Sequence, residues 1–271
     1  MSSAARTNLD SHSVKIHHNE IIGQGSFRLA YAATYIGGNR NQQEAVAKRF
    51  HSKYRLLENE FYASDFAIAD TAIRYAEGWN DMCEYGKEIL MTKGSVHRNG
   101  RSKYLVEPLI RYFTKFTSNN GWITANEGWR GEAMEAFSHY TYHRSGGQLI
   151  VCDLQGRYRH DRYRSDRCRF ELTDPAICSR RRSYGPTDLG EKGIESFFSH
   201  HQCNQFCHFD GRWSSPRLAR EWFVSNSGTS MMRSTASHLL DTRNRTRFTA
   251  TLEPLPDYEY YEDDSSDDDS W

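Results

Sequence analysis

His201-Gln-Cys203-Asn-Gln-Phe-Cys207 sets one imidazole and two thiols within seven residues. That spacing can fill three corners of a zinc tetrahedron, and a fourth ligand must come from elsewhere in the chain. A second group is scattered. Gly23-Gln-Gly25-Ser-Phe-Arg28 leads into a strand, and Lys48 follows in Val46-Ala-Lys48-Arg-Phe50. Glycines let backbone N–H groups approach phosphates closely, and a lysine on an adjacent strand can neutralise them. Taken alone, the glycine pair also fits an ordinary hairpin turn, and the lysine a solvated strand surface. Cys152-Asp153-Leu154-Gln155-Gly156 puts a carboxylate where an apolar strand gives way to a loop, and Leu172-Thr173-Asp174-Pro175 supplies another at the start of a turn. Two carboxylates and an amide oxygen at such junctions suit Mg²⁺, a hard cation that takes few protein ligands. Separately, Asp153 also reads as a turn former and Asp174 as a Pro-turn residue.

The elements that must position these groups are visible in the pattern. Phe27–Ile36 and Glu44–Phe50 read as strands joined by Gly37-Gly38-Asn39. Phe66, Ala69, Ile73 and Ala76 recur at helical spacing, predicting a helix over Leu56–Glu77 with Gly78 as its stop. Tyr104–Ile110 reads as a short strand, Glu132–Tyr142 as a helix and Leu149–Cys152 as a buried strand. Arg157, Arg159, Arg162, Arg164, Arg167 and Arg169 form a basic loop. Thr187–Cys207 reads as a capped helix leading into the His/Cys cluster. Cys83, Cys152, Cys168 and Cys178 have no metal spacing and read as ordinary thiols.

The bulk properties bound the answer. A chain of 271 residues that is 37% hydrophobic can build one large domain or two lobes. No apolar run reaches membrane-spanning length, and Met1–Asp10 lacks the apolar stretch of a secretory signal, so an intracellular, cytoplasmic and membrane-free protein is expected. The net charge is zero but uneven: eight acidic residues and no Lys or Arg lie from Asp257 onward, leaving 35 basic against 27 acidic residues before it. A basic body suits anionic ligands or its own acidic tail. The tail has too few apolar side chains to fold alone.

In order along residues 14 to 210, these segments resemble the α-kinase family of myosin heavy chain kinases, elongation-factor-2 kinase and channel-kinases. Further matches are Tyr104-Leu-Val-Glu107-Pro, Lys115-Phe with Asn119-Asn120-Gly121, Ala136-Phe-Ser-His139-Tyr-Thr, and Gly185-Pro-Thr-Asp-Leu-Gly190-Glu-Lys-Gly193. The resemblance implies an α+β, two-lobed, protein-kinase-like fold with a β-rich N-lobe and a mixed C-lobe. It implies a serine/threonine protein kinase using ATP, Mg²⁺ and a structural Zn²⁺. Gly23 and Gly25 would form the phosphate loop, Lys48 and Arg28 would contact the phosphates, and Glu107 with Leu109 would lie at the hinge. Asp153 would be the catalytic base, Gln155 and Asp174 would hold Mg²⁺, and Gly190–Gly193 would form a loop near nucleotide and peptide. His139 would complete the zinc set of His201, Cys203 and Cys207. The arginine-rich stretch between Gln155 and Asp174 exceeds the family's usual connection.

The expected organisation is a disordered 1–13, a kinase domain at 14–212, a Ser/Thr/Arg-rich extension at 213–256 and an acidic tail at 257–271. The tail could fold back on the basic body, with Ser265, Ser266 and Ser270 as phosphate acceptors. The partner is a protein substrate of unspecified identity. A competing reading is a catalytically inactive, zinc-stabilised module that binds RNA or an acidic protein. Lys48, on a strand surface, is expected to serve phosphate binding with little effect on folding.

Overall fold

Alternating small and aromatic residues build the first sheet. Tyr31, Ala33 and Tyr35 on β2 (Arg28–Ile36) and Ala45 and Ala47 on β3 (Glu44–Phe50) face one core, as the two-residue period of a strand requires. β1 (Ser13–Gln24), β5 (Ser95–Asn99) and β6 (Ser102–Pro108) complete an antiparallel sheet in the order β1-β2-β3-β6-β5. Gly37 and Gly38 adopt the left-handed φ values of 72° and 64° that their turn demands. In this computed structural model, residues 11–25, 27–82, 87–160, 168–207 and 212–231 are described. Cys83, Arg162, Arg164, Arg167, most of the 213–256 extension and the whole acidic tail lie outside the described residues.

The helix α1 runs from Glu58 to Met82, five residues past the expected end. Gly78 does not stop it. A Cβ there would sit 2.6 Å from the Tyr140 hydroxyl, so the glycine admits a close neighbour instead of breaking the helix. Asn80 then ties the last turn to the next strand, accepting from Ile89 N–H (2.8 Å) and donating to Ile89 C=O (2.9 Å). At about 1.5 Å per residue α1 is roughly 37 Å long. Its first half joins Phe61 and Tyr62 to Phe50 and Leu105 of the sheet, and its second half buries Tyr75, Ala76 and Trp79 in the other lobe.

That second lobe mixes helices and short strands. α2 (Trp129–Arg144) is buried on nearly every side, with Ala136 through Tyr142 all inaccessible. It packs on β8 (Leu149–Cys152), which pairs antiparallel with β11 (Ala176–Ser179). A four-stranded sheet sets β4 (Lys87–Met91), β10 (Cys168–Leu172), β9 (Gln155–His160) and β7 (Thr114–Lys115) side by side. Two expectations need correction here. The described arginines are on strands, not in a loop: Arg157 and Arg159 bond Glu171 at 2.5 and 3.2 Å, and Arg169 bonds Glu88 at 2.8 Å. The helix before the His/Cys cluster, α3, spans only Glu191–His200 and has no side-chain cap at Gly190.

Residues 212–231 lie against the second lobe. Trp213 is 4% exposed and packs on Trp79, His139 and Tyr140. No helix among the described residues is long and apolar enough to cross a membrane.

Candidate active site and metal centre

A cleft of about 600 Å³ opens between the two lobes, a volume suited to a nucleotide-sized ligand. Gly23, Gly25, Arg28, Lys48, Glu107, Leu109, Asp153, Gln155 and Asp174 all line it. Within it the charges form a chain of contacts. Lys48 Nζ lies 2.7 Å from Glu107 and 3.1 Å from Asp174. Gln155 donates its amide to the Asp174 carbonyl at 3.1 Å. Lys115 donates to Gln155 Oε1 at 3.2 Å and to Asp153 Oδ1 at 2.6 Å. Thr229 donates its hydroxyl to the other Asp153 oxygen at 2.7 Å. Arg28 bonds Asp65 of α1 and stacks over Phe50.

These pairings set the protonation states. Burial alone would favour a neutral Lys48 amine, but Asp174 and Glu107 outweigh it and hold the ammonium charged. Burial would also raise Asp174, yet Lys48 and Arg28 keep its pKa below the ordinary value. Its carboxylate is half exposed toward the cleft. Asp153 is only 2% exposed, and burial raises its pKa against the pull of Lys115 and the Thr229 hydrogen bond. Burial pushes Asp65 up to about 6 despite Arg28 beside it. Asp153 and Asp174 both take left-handed backbone, with φ of 59° and 54°. Such conformations cost a non-glycine residue about 1 kcal/mol or more and cluster at functional sites.

Several expected positions sit differently. Lys48 is not a surface lysine, since its side chain is 14% exposed between two carboxylates. The Glu107 carboxylate faces Lys48 and accepts from the Thr173 hydroxyl at 3.0 Å, while Leu109 N–H is bonded to the Glu44 carbonyl. Gly190 and Gly193 do not line the cleft; Pro186 and Thr187 take that place. Gly190 starts α3, where a Cβ would lie 2.5 Å from Arg182, and a Cβ at Gly193 would lie 2.4 Å from the Cys178 sulfur. Those glycines serve packing. The sequence reading assigned no role to Lys115, Asp65 or Thr229. Lys115 alone had a signal, because it stands in the motif with Asn119 and Asn120.

The second centre draws His139 from α2 to His201, Cys203 and Cys207, with all four candidate ligand atoms within 4.8 Å of one another. His139 Nε2 faces the Ser214 carbonyl at 2.9 Å, and only an N–H can make that bond. His139 Nδ1 is therefore a lone pair. His201 Nδ1 lies 3.6 Å from the Glu135 carboxylate, beyond hydrogen-bonding distance. His201 Nε2 lies 3.1 Å from His139 Nδ1, a distance that either an N–H···N hydrogen bond or two ligands of one ion would give. Cys203 and Cys207 sulfurs stand 3.7 Å from these nitrogens. A zinc tetrahedron with ordinary bond lengths has edges of about 3.3 to 3.8 Å, so the donor set fits that ion.

The model for the α-kinase family matches residues 23–207, more than half of the chain. Alpha-protein kinase vwkA of Dictyostelium discoideum is 31% identical over 204 residues, covering 72% of this chain and 31% of that protein. Eukaryotic elongation factor 2 kinase of Mus musculus is 33% identical over 235 residues, covering 83% of this chain and 30% of that one. The chain thus spans under a third of either relative's length. Among solved structures, the α-kinase domain of myosin-II heavy chain kinase A in complex with AMP-PNP superposes with a TM-score of 0.61 at 23% identity, over 74% of this chain and 89% of that one. At that identity the superposition speaks to the two-lobed fold.

Proposed function

The chain belongs to the α-kinase family, and from that premise we propose that it is an ATP- and Mg²⁺-dependent serine/threonine protein kinase. The observation that carries this reading is the buried Asp153 carboxylate at the cleft floor, one oxygen held by Lys115 and the other receiving a threonine hydroxyl. A base for phosphoryl transfer needs that arrangement: a carboxylate fixed through one oxygen and accepting an alcohol hydroxyl on the other. Bound ATP supplies the phosphoryl group. Lys48 and Arg28 present fixed positive charge where its phosphates would lie, each kept charged by carboxylates on its flank. Asp174 and the Gln155 amide oxygen offer hard donors for Mg²⁺. Asp153 orients the acceptor hydroxyl and takes its proton.

The His139, His201, Cys203 and Cys207 set would hold Zn²⁺ as structure. Four protein ligands leave no place for a reactive water. Neither Cys152 nor Cys178 is disulfide-bonded, which suits a reducing intracellular compartment. We extend the kinase unit from 14–212 to at least Met231, because Trp213 backs the metal centre and Thr229 and Met231 line the cleft.

Radiolabelled ATP with Mg²⁺ tests the reading against the inactive-module alternative. The wild type should transfer phosphate to protein, and Asp153→Ala should lower kcat by about 10²–10⁴ with ATP affinity kept. A wild type that binds ATP and transfers nothing would favour the module.

A further inference from the structure

We propose that residues 226–231 occupy the channel of the acceptor peptide, with Thr229 at the position of the residue to be phosphorylated and Asn119 and Asn120 as the side chains that read peptide main chain. This rests on the kinase reading above. Thr229 Oγ1 donates to Asp153 Oδ2 at 2.7 Å, the contact any acceptor hydroxyl must make with its base. The flanking chain is gripped through its backbone. Asn119 donates to the Ser230 carbonyl and accepts from the Ser230 N–H, both at 2.8 Å. Asn120 donates to the Gly228 carbonyl at 3.1 Å and accepts from Asn226 N–H at 3.2 Å.

These two amides are 1% and 0% exposed. Unmet hydrogen-bonding capacity on buried amides is costly, so groups placed to meet main chain are a built recognition surface. The main-chain contacts ignore side-chain identity on the bound segment, but Asn120 also donates to the Ser230 hydroxyl at 3.0 Å. Specificity must then come from that hydroxyl and from size, and the residues beside Thr229 are Gly228 and Ser230. The substrate class is an extended peptide with Thr or Ser flanked by small residues.

Two consequences follow. The strap competes in cis with any substrate, and a free peptide of the same sequence is itself a substrate. In that reaction the threonine oxygen bonds the γ-phosphorus, the bond from phosphorus to the ADP oxygen breaks, and the hydroxyl proton passes to Asp153.

The probe is a fluorescein-labelled peptide of residues 222–233, titrated against the full chain and its Ser230→Pro variant, which loses the N–H that Asn119 accepts. The variant should bind the peptide at least tenfold more tightly than wild type, and N-methylation of the peptide's serine nitrogen should remove that gain. With ATP and Mg²⁺ the variant should show a peptide KM lowered by a similar factor, with phosphate on the central threonine. Equal peptide affinity for both proteins overturns the proposal. So does a bound peptide that stays unphosphorylated while another protein is phosphorylated. Tight, N-methyl-sensitive binding with no transfer to any protein would instead overturn the kinase reading. Should Ser230→Pro fail to fold, Thr229→Val in the full chain removes only the hydroxyl. It should lower peptide KM severalfold, and an unchanged KM counts against the proposal.

Discussion

The cleft and the His/Cys centre are both polar groups gathered inside the protein, but they are balanced differently. In the cleft, cations and carboxylates alternate, so Lys48 bridges Glu107 and Asp174 while Lys115 pairs with Asp153. That arrangement is nearly satisfied without a ligand. At the other centre, two imidazole nitrogens 3.1 Å apart and two sulfurs converge as four donor atoms of the kind a metal ion takes. A site that balances itself can release its ligand on every cycle. A set of four protein donors would make its ion part of the fold.

Breaking the second centre should therefore produce the largest effect. The purified chain should carry about one zinc, measured by elemental analysis. Cys203→Ala should lose the metal and lower Tm by at least about 10 °C, or abolish soluble expression. A zinc-free preparation with unchanged Tm would erase the distinction between the two sites.

Lys48→Ala sharpens the comparison from the other side. It should lower kcat/KM by more than about 100-fold. It should also cost about 1–3 kcal/mol in denaturant unfolding, because Glu107, at 5% exposure, loses its partner. Lys48→Ala with Glu107→Gln should recover part of that stability and none of the activity. The Asp65 carboxylate gives a smaller, pH-dependent effect. Its pKa of about 6 means it is charged and holds Arg28 above that pH, and neutral below it. ATP KM should rise severalfold as pH falls through about 6, and Asp65→Asn should show the high value at every pH. The smallest change is expected from the tail. Among the described arginines of the basic stretch, Arg157, Arg159 and Arg169 already bond Glu171 and Glu88, leaving little unbalanced charge on these three for residues 257–271 to meet. Ending the chain at Leu255 should lower KM for a basic peptide by about twofold at most, only at low salt.

The strand Glu44–Phe50 was legible from its two-residue alternation, and Leu149–Cys152 from a short continuous apolar run. The His201, Cys203 and Cys207 spacing was legible because three ligands are local. Lys115 and Thr229 were not, since each meets Asp153 only after 38 or 76 residues of chain have been folded between them. Glycine misled at position 78. At Gly78 the missing side chain makes room for Tyr140, and the sequence cannot tell room for a neighbour from a helix stop.

The left-handed backbone at Asp153 and Asp174 bears on what could replace them. Asparagine tolerates that conformation better than aspartate does, and glycine better still. Replacing Asp174 by Gly would relieve that backbone but take from Lys48 one of its two carboxylates, so the two effects on Tm oppose each other.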